Sequence, residues 1–419
     1  MRTAPWQLLP LLLLAGCSAA TARSLSVSDD EGLQKAVASA RSGDRITLAP
    51  GVYAPLSIRD RVIEGAPVTI VGKGARIAAV AFEGSRGWAL EDLELGGAVM
   101  ARNRVVLIQN SGDIAVRNSL IRGMNPNKDP WDDAAVGVGL RRADKVEIVG
   151  NRFRDLGVGF IAGTSSNILF QGNSIAYVRE GSDWVAIKTA TIRCNRYSHI
   201  FPNWLRKEHP DAIQGWWTGD GNNENFLIEG NVLMLGGPRA VQGFFLAGSI
   251  MPDGEKYRLR NITIRDNIYY GSSRHGISIT GVENVVIERN TILPSPHAQQ
   301  DNPPPRSEDG RRSSALLPRI AVIGPMSTGR VAGNIAAKLQ LEPQLDSQGN
   351  VTLPPQGGKA WARAFAVPPT GDDPSVADFR SRSDAGARPI CGSTLPAPVE
   401  APSGPDPSTA GQQTVDLSD

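Results

Sequence analysis

The sequence predicts an all-β solenoid, and three features carry that expectation. An asparagine returns through the middle of the chain, at Asn118, Asn151, Asn173, Asn195, Asn231, Asn267, Asn290 and Asn334. Three of the gaps are 22, 22 and 23 residues, and the longer ones (33, 36, 36 and 44) fit one turn plus an insertion. The local text recurs with it, as GNRF, GNSI, CNRY, GNVL and RNTI. Between the asparagines lie short stretches such as VTIVG, KVEIVGN, NILFQGN, FLIEGNV, ITIRDNI and NVVIERN. Each alternates apolar and polar residues, as a strand with one buried face should. A short fixed period of β-rich segments means coils that stack their strands into a shared core. Asparagine bonds its own main chain and tolerates left-handed backbone, so the series is expected to be structural.

In chain order, residues 1–16 read as an export signal: Arg2, the apolar run from Leu8 to Leu14, then small residues. The segment Leu14-Ala15-Gly16-Cys17 resembles a bacterial lipoprotein processing site, which implies lipidation of Cys17. Ordinary signal cleavage near Ala20 is the alternative. The expected product is exported and membrane-anchored, in the periplasm or on the outer membrane, with 17–29 as a linker. Asp30 to Ala40 places Leu33, Ala36, Val37 and Ala40 at helical spacing ahead of the alternating GDRITLAPGVY. An amphipathic helix there would cap the first coil and keep its apolar interior from water.

That opening resembles the start of pectate-lyase-like β-helices, including the chondroitinase B and alginate lyase group. The resemblance implies a single-stranded right-handed parallel β-helix, here over 30–392, acting on an anionic polysaccharide. Insertions are expected near 196–210, 248–257 and 294–316. The piece 378–390 faintly resembles a closing rung, and 393–419, rich in Pro and Ser, reads as a disordered tail.

The chain's 44 basic and 42 acidic residues nearly cancel, so no field argues for nucleic acid. A monomer is expected. If Cys17 is lipidated, Cys194 and Cys391 remain, either bonded to each other or as two thiols.

For chemistry, the strands FIAG, VAIK, AIQG, AVQG, GISI and IAVI align on their asparagines. In that alignment Ile187, Ile213, Val241 and Ile277 point inward. Lys188, Gln214, Gln242 and Ser278 then form an outward polar column, with rungs about 4.8 Å apart. The match of AIQGWW to AVQGFF sets this register. His209 and Asp211 lie just upstream, and a carboxylate beside a histidine raises its basicity. Ordering of the loop entering the strand is the alternative role for the pair. Arg274 and His275, before Gly276, resemble the Arg-His-Gly motif of alginate and chondroitin lyases and the His-Gly of polygalacturonase-type hydrolases. An ordinary surface pair is the plainer alternative. Trp184, Trp204, Trp216 and Trp217 cluster within 34 residues, for sugar stacking or for the core. By alternation one of Trp216 and Trp217 is expected to point inward.

The first expectation is therefore β-elimination on a uronic-acid polymer. Lys188 or His209 would be the base, and Arg239, Arg274 or His275 would stabilise charge. Asp211 would orient His209 or hold a metal, while Gln214, Gln242, Trp204, Trp216 and Trp217 contact sugar. The family resemblance also implies calcium, for which Asn222, Asn223 and Glu224 are the candidates. The competing readings are a glycoside hydrolase using Asp211 with Asp183 or Asp220, and a non-catalytic polysaccharide-binding lipoprotein.

Overall fold

The computed structural model describes residues 22–99, 103–125, 131, 133–202, 210–237, 240–299, 317–354, 358–392 and 395–400. Alternating strands with one apolar face need a partner surface. Here they find it by winding into a parallel β-helix of three sheets, with thirteen, eleven and twelve strands among the described residues. All strand pairs are parallel, and from the second strand onward each sheet takes every third strand of the chain. One coil shows the path: Leu156–Gly163 in sheet 2, Ser166–Gln171 in sheet 1, Ser174–Ile175 in sheet 3, then Val178–Val185 back in sheet 2. The inward side chains form one continuous core that includes Phe160, Phe170, Trp184, Phe226 and Phe244.

The asparagine series occupies the turn from sheet 1 to sheet 3 as a buried amide ladder. Asn195 shows the pattern. Its Nδ2 donates to the Phe170 carbonyl at 2.9 Å and to Asn231 Oδ1 at 2.9 Å, while its backbone N–H donates to Asn231 Oδ1 at 3.0 Å. Its own Oδ1 accepts from the Asn173 backbone and side chain. Every polar atom is thus paired within a water-free turn, which is what makes burial affordable. The ladder runs from Asn151 to Asn334 and on to Asn350. Asn118 is outside it: φ is 50° there, and Ser119 receives the link to Asn151 instead. A second ladder at the turn from sheet 2 to sheet 1 uses Ser85, Ser111, Ser165 and Asn223.

The expected capping helix spans Asp30–Ser39, with Asp29 accepting from the Gly32 N–H at 2.7 Å and Leu33, Ala36 and Val37 buried. The other end departs from expectation. Residues 378–390 are no closing rung; they belong to a strap, 358–392, laid across the outer face of sheet 3. Trp361, Phe365 and Phe379 pack there on Tyr270, Leu293 and Ile335. A disulfide between Cys194 and Cys391 ties the strap's end to the coils, with Cα atoms 5.6 Å apart. Within 395–400 the expected disorder does not hold, because Val399 is buried against Ala176 and Tyr177. Residues 1–21, including Cys17, and residues 401–419 lie outside the described residues. No described helix is long and apolar enough to cross a membrane.

Candidate functional site

Sheet 2 carries the site, and its backbone pairing fixes which side chains meet. Asp183 pairs with Gln214, Gln214 with Phe245, and Phe245 with Ser278. In these strands Ser182, Ile213, Phe244 and Ile277 face the core, so the four named residues share the outward face. The outward column is therefore Asp183, Gln214, Phe245 and Ser278, roughly 14 Å from end to end at the usual strand spacing.

This corrects the sequence alignment in three places. Gln242 pairs with Asp211 rather than Gln214, so AVQG sits three residues out of register with AIQG. Lys188 is not in the sheet at all: its strand ends at Val185, and the ammonium is exposed in the corner, 2.9 Å from Glu224. Val241 and Ile187 are buried as expected, but each lies outside the paired strands of sheet 2. The slip arises because insertions of different length enter and leave sheet 2, and matching letters do not count those residues.

Nor does either tryptophan of the pair enter the core. Trp216 is half-buried on the outer face, paired with Val185, and Trp217 is 44% exposed. Gly215 holds the inward place, because a Cβ there would come 2.6 Å from Leu246 and 2.7 Å from Asn223. Trp217 stacks on Tyr257 of the 248–257 insertion, centroids 4.3 Å apart. Trp184 is a core residue, packed edge-on against Phe170 and Phe226.

At one end of the column three acids converge. Asp183 and Asp211 are buried, and Glu180 is half-buried beside them. Burial first, then the charge and hydrogen bond of Glu180 and the charge of Asp211, push the Asp183 carboxyl well above its ordinary range. Asp183 thus belongs to the column after all. Asp220 does not; it accepts a hydrogen bond from Thr164 at 3.2 Å on an exposed turn.

The other end is cationic. A bulge between His275 and Ile277, in the pairing with Arg319–Ile323, accompanies a His275 side chain that meets Ser278 of the outward column. Its Nδ1 lies 2.8 Å from Ser278 Oγ, and its Nε2 accepts from Arg274 Nε at 3.0 Å. Phe245 meets the imidazole edge-on at 5.4 Å. Burial, then the charges of Arg274 and Arg319, lower the His275 pKa from 6.5 to about 4, so the ring is neutral at pH 7. The Nε2 acceptor role fits a neutral ring carrying its proton on Nδ1. Arg319, paired in the sheet with His275, donates to Gln340 at 2.6 Å and has a buried Nε with no hydrogen-bond partner. Neither Arg274 nor Arg319 forms an ion pair with a carboxylate among the described residues. Sequence reasoning found Arg274 and His275 but missed Arg319 and Glu180. The signal for Arg319 was present, since it opens the IAVI strand where His275 opens ISIT.

The calcium candidates are spent on structure. Asn223 Oδ1 accepts from the Ile187 N–H at 2.9 Å and its Nδ2 donates to the Trp184 carbonyl at 3.0 Å. Asn222 donates to the Ala247 carbonyl at 3.2 Å, and Glu224 pairs with Lys188 and Arg260. Among the described residues no group of three or more His, Cys, Asp or Glu could hold a metal ion. His209, Trp204 and Arg239 lie outside the described residues.

A parallel β-helix with an outward polar column on one sheet is the class that fold and site define. No family model matches the sequence, and no curated protein matches it in sequence. Solved structures are similar in coil path. An alginate lyase from Paenibacillus sp. str. FPU-7 is 14% identical with a TM-score of 0.44, over 79% of this chain and 99% of that one. The mannuronan C-5 epimerase AlgE6 A-module of Azotobacter vinelandii is 15% identical with a TM-score of 0.44, over 78% of this chain and 94% of its own. PfbA, a surface adhesin of Streptococcus pneumoniae, is 12% identical with a TM-score of 0.47, over 79% of this chain and 91% of its own.

Proposed function

We propose that the protein cleaves a uronic-acid-containing polysaccharide by β-elimination in the groove of sheet 2. The observation that carries this reading is the pair Arg274 and Arg319 beside a neutral His275, with no carboxylate partner for either arginine among the described residues. A uronate carboxylate supplies the missing charge, and guanidinium groups recognise carboxylates in a fork geometry. Pairing the carboxylate also makes the C5 proton acidic.

Arg274 is exposed and can swing from His275 to the substrate, which releases Nε2 as an acceptor. Burial is the larger cause of the depressed His275 pKa and persists, but the same carboxylate offsets the charges of Arg274 and Arg319, so binding raises the basicity of the ring. Nε2 then takes the C5 proton. The electron pair of that C–H bond becomes the C4–C5 double bond, and the C4–O4 bond breaks with its electrons on O4. His275 returns the proton to O4 on the same face. Lys188, held at the corner by Glu224, takes no part.

One observation favours hydrolysis instead: burial, then Glu180 and Asp211, push the Asp183 carboxyl well above its ordinary range, so two acids in unlike environments stand side by side. A panel of uronate polymers separates the two. Ultraviolet absorbance of an unsaturated product, lost in His275→Ala and Arg319→Ala, supports elimination. Reducing ends without absorbance, lost in Asp183→Asn, overturn it in favour of hydrolysis. Binding without product supports the non-catalytic alternative. Export with lipid attachment at Cys17 is part of the same proposal, and the Cys194–Cys391 bond supports an oxidising compartment. Mass spectrometry of the N-terminal peptide tests the lipid.

A further inference from the structure

A second cationic pocket lies where the end of the C-terminal strap crosses the margin of sheet 1. It encloses about 500 Å³ between Arg193, Glu229, Arg265, Asp266, Arg289 and the strap's Arg388. Four of these six are arginines, and the two acids do not balance them. Glu229 is taken by Arg265, at 2.8 and 2.7 Å, and Asp266 by Arg289, at 3.0 and 2.9 Å. Both carboxylates are buried, so these pairs form the floor. Arg193 gives its Nε to Gln171 and stands 3.9 Å from the already paired Glu229. The Arg388 backbone N–H reaches Asp266 Oδ1 at 3.3 Å, while its exposed guanidinium forms no hydrogen bond or ion pair among those of the described residues. Two positive charges are left over at the rim of a cavity large enough for an oxyanion.

We propose that this pocket binds one oxyanion group, a carboxylate or sulfate, between Arg388 and Arg193. It lies on a different face of the coil from the groove of sheet 2, and the inference does not depend on the reaction proposed there. The strap supplies one wall, and the Cys194–Cys391 bond, three residues beyond Arg388, holds that wall in place. The group comes either from a glycan chain or from a free inorganic anion, and the two sources differ in what they compete with.

The test titrates the full chain with sodium sulfate and, separately, with polygalacturonate at constant ionic strength, read by calorimetry. Losing one charged hydrogen-bonding group should weaken the anion by roughly tenfold or more in Arg388→Ala. Arg260→Ala, whose guanidinium is met by Glu255, Glu283 and Glu224, should leave sulfate binding unchanged, and Cys391→Ser should weaken it by releasing the wall. Melting curves without anion show that each variant is folded. Polymer binding that sulfate displaces, and that Arg388→Ala loses, identifies a glycan group; sulfate binding alone identifies a free anion. Equal sulfate affinity in wild type and Arg388→Ala, or no binding of either probe to wild type, overturns the proposal.

Discussion

Arg260 on sheet 1 and Arg319 on sheet 2 are both partly buried arginines on outward faces, yet their surroundings differ. Arg260 is met by Glu255 at 2.7 Å, Glu283 at 3.3 Å and Glu224 at 3.7 Å. Its pKa is raised, because those acids outweigh the cost of burial. Among the described residues the Arg319 side chain bonds only the neutral Gln340, and burial followed by the charge of Arg274 lowers its pKa. One face pairs its charges within itself; the other holds partly buried cations with no ion-paired acid among the described residues. Keeping such a group adds nothing to stability, and this difference is what the proposed uronate site rests on.

The largest effect should come from the paired architecture. Asn231→Ala removes the donor to the Ile192 carbonyl and the link between Asn195 and Asn267, leaving several buried groups unsatisfied. Stability should fall by roughly 3 kcal/mol or more, read by chemical denaturation. If the variant melts like wild type, the ladder is not what holds the turn.

Next come the arginines themselves. Arg319→Ala should lower kcat/KM on the preferred polymer by about a hundredfold, with little change in melting. Arg260→Ala should do the reverse, costing about 1 kcal/mol of stability and leaving kcat/KM intact. Activity lost in both, or in neither, breaks the contrast between the faces. Lys188→Ala should be silent in the activity assay, and a large loss there would restore it as a base.

The pH response is smaller and has a definite sign. His275 has a folded pKa of about 4, below its ordinary 6.5, so the unfolded chain binds the extra proton more readily between those values. Its contribution is fully present above pH 6.5 and is lost as pH falls toward 4. Arg319→Ala removes one cause of the depression, so it should move the acid limb of kcat/KM to higher pH and make the acid loss of stability smaller. A limb that stays fixed in this variant would show that Arg319 does not reach His275.

Smallest is Asp183→Asn. A carboxyl with a raised folded pKa costs stability as pH rises above its ordinary value, so the amide should melt higher than wild type at pH 8 and equally below about pH 4. The opposite order would mean that Asp183 is ionised and satisfied.

The sequence by itself determined the solenoid, its capping helix and the asparagine turns. Those depend on local alternation and on a side chain repeated at each coil, and both are written in the order of residues. It also pointed to Arg274, His275, Gln214 and Asp211, because polar and charged types at or beside an alternating strand are visible one at a time. Only the tertiary structure decided which of them meet. Lys188 left the groove and Asp183, Phe245 and Arg319 entered it, because the insertions around sheet 2 differ in length from coil to coil. The strap and its disulfide escaped as well: Cys194 and Cys391 are separated by 197 residues, and no local pattern encodes a contact made by folding the chain back on itself.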